Sequence, residues 1–393
     1  MIYLDYNSTA PITGDVLAAM LPHLEQNYAN PSSGHTPGRN AREVIERARS
    51  ETASAIGAEP DEILFTSGGT EASNQAIKGT FLRAGVINGL QETPAKERPH
   101  LIISAVEHQA TTESANFLKR FGVEVSVIGC DRQGVTSTEE FARAIRSNTT
   151  LASVMHANNE IGSVQPIREL ADLCHDRDVL LHVDAAQSLG KIPVNVQELG
   201  ADLLSIAGHK IYAPKGVGAL FVRRGVEIES FMHGAGHERG LRAGTENTPY
   251  LVAFGKAMSL AREFVEGDGP VKMAKLRDRL AERLYASIGS EFSINAEQAP
   301  RLPNTLSANF PGVIGQELLQ RCPEICASTG AACHWGDTRR SATLTAIDLP
   351  PTVAVGTVRM SLGRGTTEAE VDEAAQMLTA GWQSLRAAGE KKS

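Results

Sequence analysis

The sequence predicts an α/β protein in which a mostly parallel sheet carries helices on both faces and a smaller α+β domain follows. Three observations support this prediction. Between residues 63 and 222 short apolar runs alternate with helix-like segments, which is the pattern of strand–helix–strand units. From about residue 255 long amphipathic segments replace that alternation. A chain of 393 residues is also long enough for one large and one smaller domain.

The predicted strands are apolar runs that are short enough to be buried on both faces of a sheet. They comprise residues 63–66, 101–104, 123–128, 151–155, 179–183, 203–207 and 218–222. Ahead of them, residues 13–28 are predicted to form a helix that Pro22 bends or ends early. A loop rich in Pro, Gly and Ser then leads into a second helix at 41–56.

The C-terminal part is predicted to hold two amphipathic helices. Leu276, Leu280 and Leu284 lie on one face of the first. The second begins at Thr367, with Glu370 at the position of a capping box. Its apolar face comprises Val371, Ala375, Leu378 and Trp382. We place the large domain at residues 14–254 and assign residues 1–13 and 255–393 to the small domain.

Composition excludes several classes of protein. Hydrophobic residues make up 41% and charged residues 21% of the chain, and the net charge is −8, so neither nucleic acid nor an anionic membrane surface is an expected partner. No signal peptide and no apolar stretch of about 20 residues is visible. Five scattered cysteines argue against a disulfide framework. We therefore expect a cytoplasmic protein.

Two polar residues follow neighbouring predicted strands. Asp184 follows the run 179–183, and Lys210 comes shortly after 203–207. Because ligands of open α/β sheets bind at the carboxyl ends of strands, these side chains could converge on one ligand. Pyridoxal phosphate uses such a pair, since a lysine binds it covalently and an acid keeps its ring nitrogen protonated. Considered alone, a structural ion pair is an equally good interpretation.

Six short motifs together resemble a known family. They are SGGTEASN, VEH, NNEIG, HVDAAQ, GHKIYAPKG and RAGTENTP. The chain resembles the cysteine desulfurase and selenocysteine lyase family, pyridoxal-phosphate enzymes with the aminotransferase fold type I. The resemblance extends from YLDYNSTAP to VRMSLGRGTTEAEV. Three segments are more similar to the selenocysteine lyase branch than to housekeeping desulfurases. They are GAACH, the GD that follows it, and RAGTENTP.

The resemblance implies a phosphate site at the start of a helix. Gly69 and Thr70 match phosphate-binding positions of the family, and a glycine at a helix N-terminus suits an anion, although a tight structural turn is the alternative. His209 matches a second phosphate contact. Thr245 matches a residue that the neighbouring subunit supplies, which implies a homodimer. Ala207 stands where these desulfurases commonly carry a phosphate-binding serine.

Three further positions match contacts to the cofactor ring. The resemblance places His108 flat against the ring, and Asn159 and Gln187 near its 3-hydroxyl group. Asp184 and Lys210 would hold the ring nitrogen and the aldehyde carbon. Without the resemblance, the histidine and the amides would be interpreted as ordinary loop residues. Ser205 lies one pleat behind Ala207 on the same face, and we do not assign the missing serine's role to it.

Two residues of the C-terminal part match substrate-handling positions. Arg359 matches the residue that binds the substrate α-carboxylate, a task suited to its planar fork of donors. Cys333 lies among small residues in STGAACHWGD and matches the cysteine that handles sulfur or selenium. Arg364 is interpreted as structural. A zinc site built from Cys322, Cys326, Cys333 and His334 lacks a second spaced pair, so no metal is expected.

The implied reaction removes sulfur from L-cysteine, or selenium from L-selenocysteine, and gives L-alanine. Lys210 would take the Cα proton, and Cys333, its ionisation helped by His108 or His334, would receive sulfur as a persulfide. A protein that accepts sulfur or selenium is a possible partner. The alternatives are a lyase specific for selenocysteine, an aminotransferase or carbon–sulfur lyase acting on another amino acid, and a non-catalytic scaffold.

Overall fold

Strands and helices alternate along the part of the chain that the computed structural model describes, residues 1–85, 97–329 and 341–390. The strands are β1 (Ile2–Tyr3), β2 (Ile63–Thr66), β3 (His100–Ser104), β4 (Glu124–Ile128), β5 (Thr149–Met155), β6 (Leu180–Asp184), β7 (Leu203–Ala207), β8 (Gly218–Val222), β9 (Ser293–Ile294), β10 (Thr305–Asn309), β11 (Ile325–Cys326) and β12 (Thr357–Ser361). The helices are α1 (Gly14–Glu25), α2 (Thr36–Ile56), α3 (Gly69–Arg83), α4 (Gln109–Lys119), α5 (Thr138–Ala144), α6 (Ile167–His175), α7 (Val196–Leu199), α8 (Thr248–Glu266), α9 (Gly269–Ile288), α10 (Gly315–Arg321), α11 (Ala342–Ala346), α12 (Pro351–Ala354) and α13 (Glu368–Glu390).

The central sheet has seven strands in the order β2-β8-β7-β6-β5-β3-β4. Strands β3 to β7 pair in parallel, whereas β8 runs antiparallel to both of its neighbours. The predicted, mostly parallel α/β sheet is thus confirmed. Parallel pairing brings the carboxyl ends of β5, β6 and β7 to one edge of the sheet, where a ligand site is expected.

Helices cover both faces of this sheet. Side chains of β3 alternate between the two layers, with Ile102 in one core and Leu101 and Ile103 in the other. Helices α1, α2, α6 and α8 pack on the first face, and α3 and α4 pack on the second. Burial of both faces explains why these strands are apolar runs rather than alternating sequences.

A separate core forms around the antiparallel sheet β12-β10-β9 with α9, α10 and α13. The N-terminal residues Ile2 and Leu4 belong to this core, because β1 pairs in parallel with β11. Helix α8 continues across the predicted domain boundary at residue 254, and its Met258 and Ala261 still pack against the large sheet. The division at that residue stays a prediction.

The helix ends follow the expected local chemistry, with one exception. Helix α1 ends at Glu25, one turn after Pro22. The capping box at Thr367 is present, since its backbone N–H donates to Glu370 Oε2 at 2.8 Å. Helix α2, however, begins at Thr36 rather than at 41. Proline is well tolerated in the first turn of a helix, so Pro37 lies inside α2 rather than in the preceding loop.

Candidate active site

A cavity of about 880 Å³ lies at the carboxyl ends of the parallel strands. Most of the residues singled out from the sequence line it: Gly69, Thr70, His108, Asn159, Asp184, Gln187, His209, Lys210 and Arg359. Thr245 is exposed and is absent from the lining. Cys333 and His334 lie outside the described residues. The topology therefore brings together side chains that are up to 290 positions apart in the sequence, from Gly69 to Arg359.

Asp184 and Lys210 both face this cavity. Asp184 is the last residue of β6, and its Oδ1 accepts a hydrogen bond from the Ala186 N–H at 2.9 Å. Burial raises the pKa of this carboxyl, while the neighbouring His108 and Lys210 oppose the rise. Lys210 ends a short turn after β7. Its Nζ donates to the backbone carbonyls of Asn7 and Ser8, the latter at 2.9 Å.

Two histidines border the cavity in defined orientations. His108 precedes α4, and its Nδ1 accepts the Ala110 N–H at 3.1 Å. In the neutral ring Nε2 therefore carries the proton. His209 Nδ1 lies 3.2 Å from Thr9 Oγ1. Burial, aided by the nearby positive charge of Lys210, lowers the pKa of His209 to about 4, so this ring is neutral near pH 7.

The start of α3 forms a cradle suited to an anion. Gly68, which precedes α3, has a φ of 150° and leaves the first N–H groups of a 15-residue helix without a side-chain cap. A Cβ on Gly69 would lie only 3.1 Å from the Cβ of Ala207. Glycine therefore keeps this cradle open. Uncapped N–H groups at a helix N-terminus are a favourable environment for a phosphate.

Ser205 does not supply the hydroxyl that Ala207 lacks. It is fully buried, and its Oγ lies 2.8 Å from His182 Nε2 and 3.3 Å from Ser73 Oγ. Burial lowers the pKa of His182 to about 3, so this hydrogen-bonded group is uncharged. Ser205 thus links β6, β7 and α3 behind the cavity rather than facing into it.

Arg359 lies on the opposite wall, on β12. Its Nη2 donates to Asp5 Oδ1 at 2.6 Å and to Ser8 Oγ at 2.7 Å, and its Nη1 donates to the Asn159 carbonyl at 3.1 Å. The side chain is only 3% exposed. The guanidinium is therefore held rigidly at the cavity wall, with both N–H groups of Nη2 and one of Nη1 already engaged.

The resemblance assigns Arg359 to the substrate α-carboxylate. On that expectation, replacing it with lysine should raise KM for an amino-acid substrate by roughly 10- to 100-fold, because a point charge loses the paired hydrogen bonds of the guanidinium. Bound-cofactor absorbance should not change. Steady-state kinetics of Arg359→Lys beside Arg321→Lys, an exposed arginine of α10, check this. A wild-type KM in Arg359→Lys would show that this arginine does not bind the substrate.

Two buried carboxyls of the cavity wall were missed in the sequence. Glu107 Oε1 accepts hydrogen bonds from Ser104 Oγ at 2.5 Å and from the Met155 N–H at 2.7 Å. Glu160 Oε2 accepts one from Ser341 Oγ at 2.5 Å. Both residues belong to motifs already noted, VEH and NNEIG. The motifs drew attention to the histidine and the asparagine, and nothing in the sequence indicated that the glutamate in each motif is buried.

The protonation of Glu107 should make stability depend on pH. Burial raises the pKa of this carboxyl to about 8 from an ordinary value of 4.5. Between these values the folded state keeps a proton that the unfolded state releases, so wild-type stability falls as the pH rises.

A Glu107→Gln variant does not titrate at this position. Its free energy of unfolding should therefore rise relative to wild type by on the order of 3 kcal/mol between pH 5 and pH 8. Denaturant unfolding at both pH values measures this difference. Glu43→Gln, an exposed glutamate of α2, should show no such trend. A difference between Glu107→Gln and wild type that is constant with pH would mean that Glu107 is ionised in the folded protein.

The remaining thiols within residues 1–85, 97–329 and 341–390 are Cys130, Cys174, Cys322 and Cys326. Burial raises the pKa of Cys130 to about 11 and that of Cys174 to about 12. Both are therefore protonated and unreactive near neutral pH.

The described residues contain no group of three or more His, Cys, Asp or Glu side chains placed to hold a metal ion. No helix among them is long and apolar enough to span a membrane.

Comparisons with known proteins agree over almost the full length of the chain. The family model described as aminotransferase class-V matches residues 2–374. A cysteine desulfurase IscS of Dictyoglomus turgidum is 41% identical over 388 residues, which cover 98% of this chain and 95% of that protein. A solved structure titled NifS-like protein superposes with a TM-score of 0.86 at 33% identity, covering 98% and 99% of the two chains. A second, titled SspA in complex with cysteine, gives a TM-score of 0.80 at 34% identity, covering 93% and 100%.

Proposed function

Because this chain belongs to the class-V aminotransferase family, we propose that it is a pyridoxal-phosphate-dependent cysteine desulfurase. It removes sulfur from L-cysteine and gives L-alanine. The single observation that carries the proposal is one cavity that joins Asp184 and Lys210, from neighbouring strand ends, with the guanidinium of Arg359. Two findings support the choice of substrate: relatives are named cysteine desulfurase, and one structural neighbour was solved in complex with cysteine.

The residues of the cavity fit pyridoxal phosphate. The uncapped start of α3 suits its phosphate, the buried Asp184 suits its ring nitrogen, and Lys210 supplies the amine for its aldehyde. His108, Asn159, Gln187 and His209 complete the proposed binding set. When bound, the cofactor supplies an electron sink for negative charge that develops on the substrate Cα.

The residues of the chain divide the chemistry among them. Arg359 holds the substrate α-carboxylate and so fixes where Cα lies. Lys210, in its uncharged form, takes the Cα proton and later returns a proton to the product. The Cys333 thiolate attacks the substrate sulfur, the carbon–sulfur bond breaks, and its electron pair remains with the carbon skeleton. Protonation of that skeleton gives alanine, and Cys333 keeps the sulfur as a persulfide.

A homodimer is part of the proposal. Thr245 is exposed and lies outside the cavity of its own chain, as expected of a residue that serves a neighbouring subunit. Helix α1 turns Leu17, Leu21 and Leu24 outward, each at least 41% exposed. An apolar stripe of this kind is typical of a protein–protein contact. A separate protein that accepts the sulfur, and a cytoplasmic location, stay predictions.

Product analysis of the purified holoenzyme tests the proposed function. L-cysteine should yield alanine and one enzyme-bound persulfide. L-selenocysteine is the second candidate substrate, on the resemblance of RAGTENTP, and alanine from it alone would identify a lyase specific for selenium. Pyruvate with ammonia would identify a carbon–sulfur lyase. Amino transfer to a 2-oxo acid would identify an aminotransferase.

A further inference from the structure

Lys191, a buried lysine that bonds to Asn7 and Gln187 beside the cavity, has no role in the proposed chemistry. We infer that Lys191 is a positioning residue: through hydrogen bonds to Asn7 and Gln187 it sets where the Lys210 amine and the Gln187 amide lie. The inference rests on the proposed function, because it concerns the placement of cofactor-binding groups.

Asn7 is the centre of this network. It is 1% exposed, and its backbone carbonyl accepts hydrogen bonds from Lys210 Nζ and from Gln187 Nε2, the second at 3.0 Å. Its other polar atoms form hydrogen bonds with residues before and after the predicted boundary at residue 254: Lys191, Asn159, Asn304, Thr305 and Ser361. The position of the Asn7 carbonyl is therefore fixed, and that carbonyl in turn fixes the Lys210 amine.

Lys191 orients the Gln187 amide and contacts the Asn7 amide. Its Nζ lies 2.9 Å from Asn7 Oδ1 and 2.7 Å from Gln187 Oε1. Because a lysine amine offers both oxygens a donor, each amide must turn its NH₂ group elsewhere. The Gln187 NH₂ group points to the Asn7 carbonyl, which leaves it a second N–H, and Gln187 itself lines the cavity. Without Lys191 the Gln187 oxygen loses this donor, whereas the Asn7 amide is still oriented by Asn304, Asn159 and Thr305.

A buried lysine is energetically unfavourable as a purely structural link. Lys191 is 6% exposed, and its contacts Asn7 and Gln187 are neutral. The charged groups that act on it are Lys210 and Arg359, and burial together with these two cations lowers the pKa of Lys191 well below its ordinary value. Burial of an amine beside two cations is unfavourable. Its presence next to Lys210 is therefore better explained by an effect on that amine than by packing.

The test is a pH titration of the visible absorbance of the bound cofactor. Lys191→Met removes the donor and any charge while keeping the length of the side chain. Without this donor the Gln187 amide no longer presents its second N–H to the cofactor, and loss of a hydrogen bond that favours the deprotonated form should raise the titration midpoint by about one pH unit. Gln187→Ala should raise it too. The double variant should shift it no further than the larger single change, since both act through the same amide.

Lys272→Met, an exposed lysine of α9, serves as the matched control and should titrate as wild type. Lys191→Gln keeps a donor group, so its midpoint should lie between those of wild type and Lys191→Met, and it carries the test if Lys191→Met does not fold. A wild-type midpoint in the Lys191 variants, or shifts that add in the double variant, would overturn the inference. A wild-type protein that shows no cofactor absorbance would instead overturn the proposed function.

Discussion

Lys210→Ala should lower the rate of alanine formation from L-cysteine by at least about a thousandfold, because one side chain serves as both the covalent attachment and the proton acceptor. The amine already faces the cavity, held by the carbonyls of Asn7 and Ser8. Its loss leaves those carbonyls without this donor, a cost of about 1–3 kcal/mol in a buried setting. That cost is small beside the expected loss of activity, so the variant should remain folded.

Two measurements separate loss of chemistry from loss of structure in Lys210→Ala. Borohydride reduction followed by mass spectrometry should add the cofactor's mass to wild type but not to the variant. Lys215→Ala, an exposed lysine five positions further along the chain, should react as wild type. A covalent adduct that survives in Lys210→Ala would assign the attachment to another amine.

Cys333→Ser should abolish the enzyme persulfide and lower alanine formation from L-cysteine by at least about a hundredfold, because a serine hydroxyl near neutral pH is a far weaker nucleophile than a thiolate. Cys333 lies outside the described residues, and one of the described residues that flank its segment lines the cavity while another bonds to a cavity residue. Ser328 bonds to the Arg359 backbone at 2.6 Å, and Ser341 lines the cavity.

The bound-cofactor absorbance should be the same in Cys333→Ser and wild type, which distinguishes a lost nucleophile from a damaged site. Mass spectrometry after a single turnover should find 32 Da of added sulfur, about the mass of one atom, on wild type alone. Cys130→Ser is the matched control, since burial raises the pKa of that thiol to about 11. Undiminished turnover of L-cysteine in Cys333→Ser would remove the nucleophile role.

The sequence was informative wherever function coincides with a local pattern. The runs that end at Asp184 and shortly before Lys210 are strands because both faces are buried, and parallel pairing then joins their ends. The motifs pointed to nine of the residues that line the cavity, but not to Glu107 or Glu160. These signals can be read from sequence because hydrophobic periodicity and short motifs depend only on residues that are close together in the chain.

What the sequence did not reveal depends on distant pairs. Lys191 looks like any lysine after a glycine, and only the fold shows that it is buried against Asn7, 184 positions away. Glu107 was passed over because its raised pKa comes from complete burial, which a single motif cannot indicate. The start of α2 was misplaced because proline in a first turn and proline in a loop look the same in sequence.

The long-range contacts of Asn7 have a consequence for the order in which the protein folds. The Asn7 backbone N–H bonds to Ser361, 354 positions later in the chain. Leu4 likewise accepts a bond from the Ser361 N–H. Contacts so remote in sequence form late in folding. The seven-stranded sheet, whose strands all lie between residues 63 and 222, can therefore form before the cavity closes, and competence to react depends on the contacts that form last.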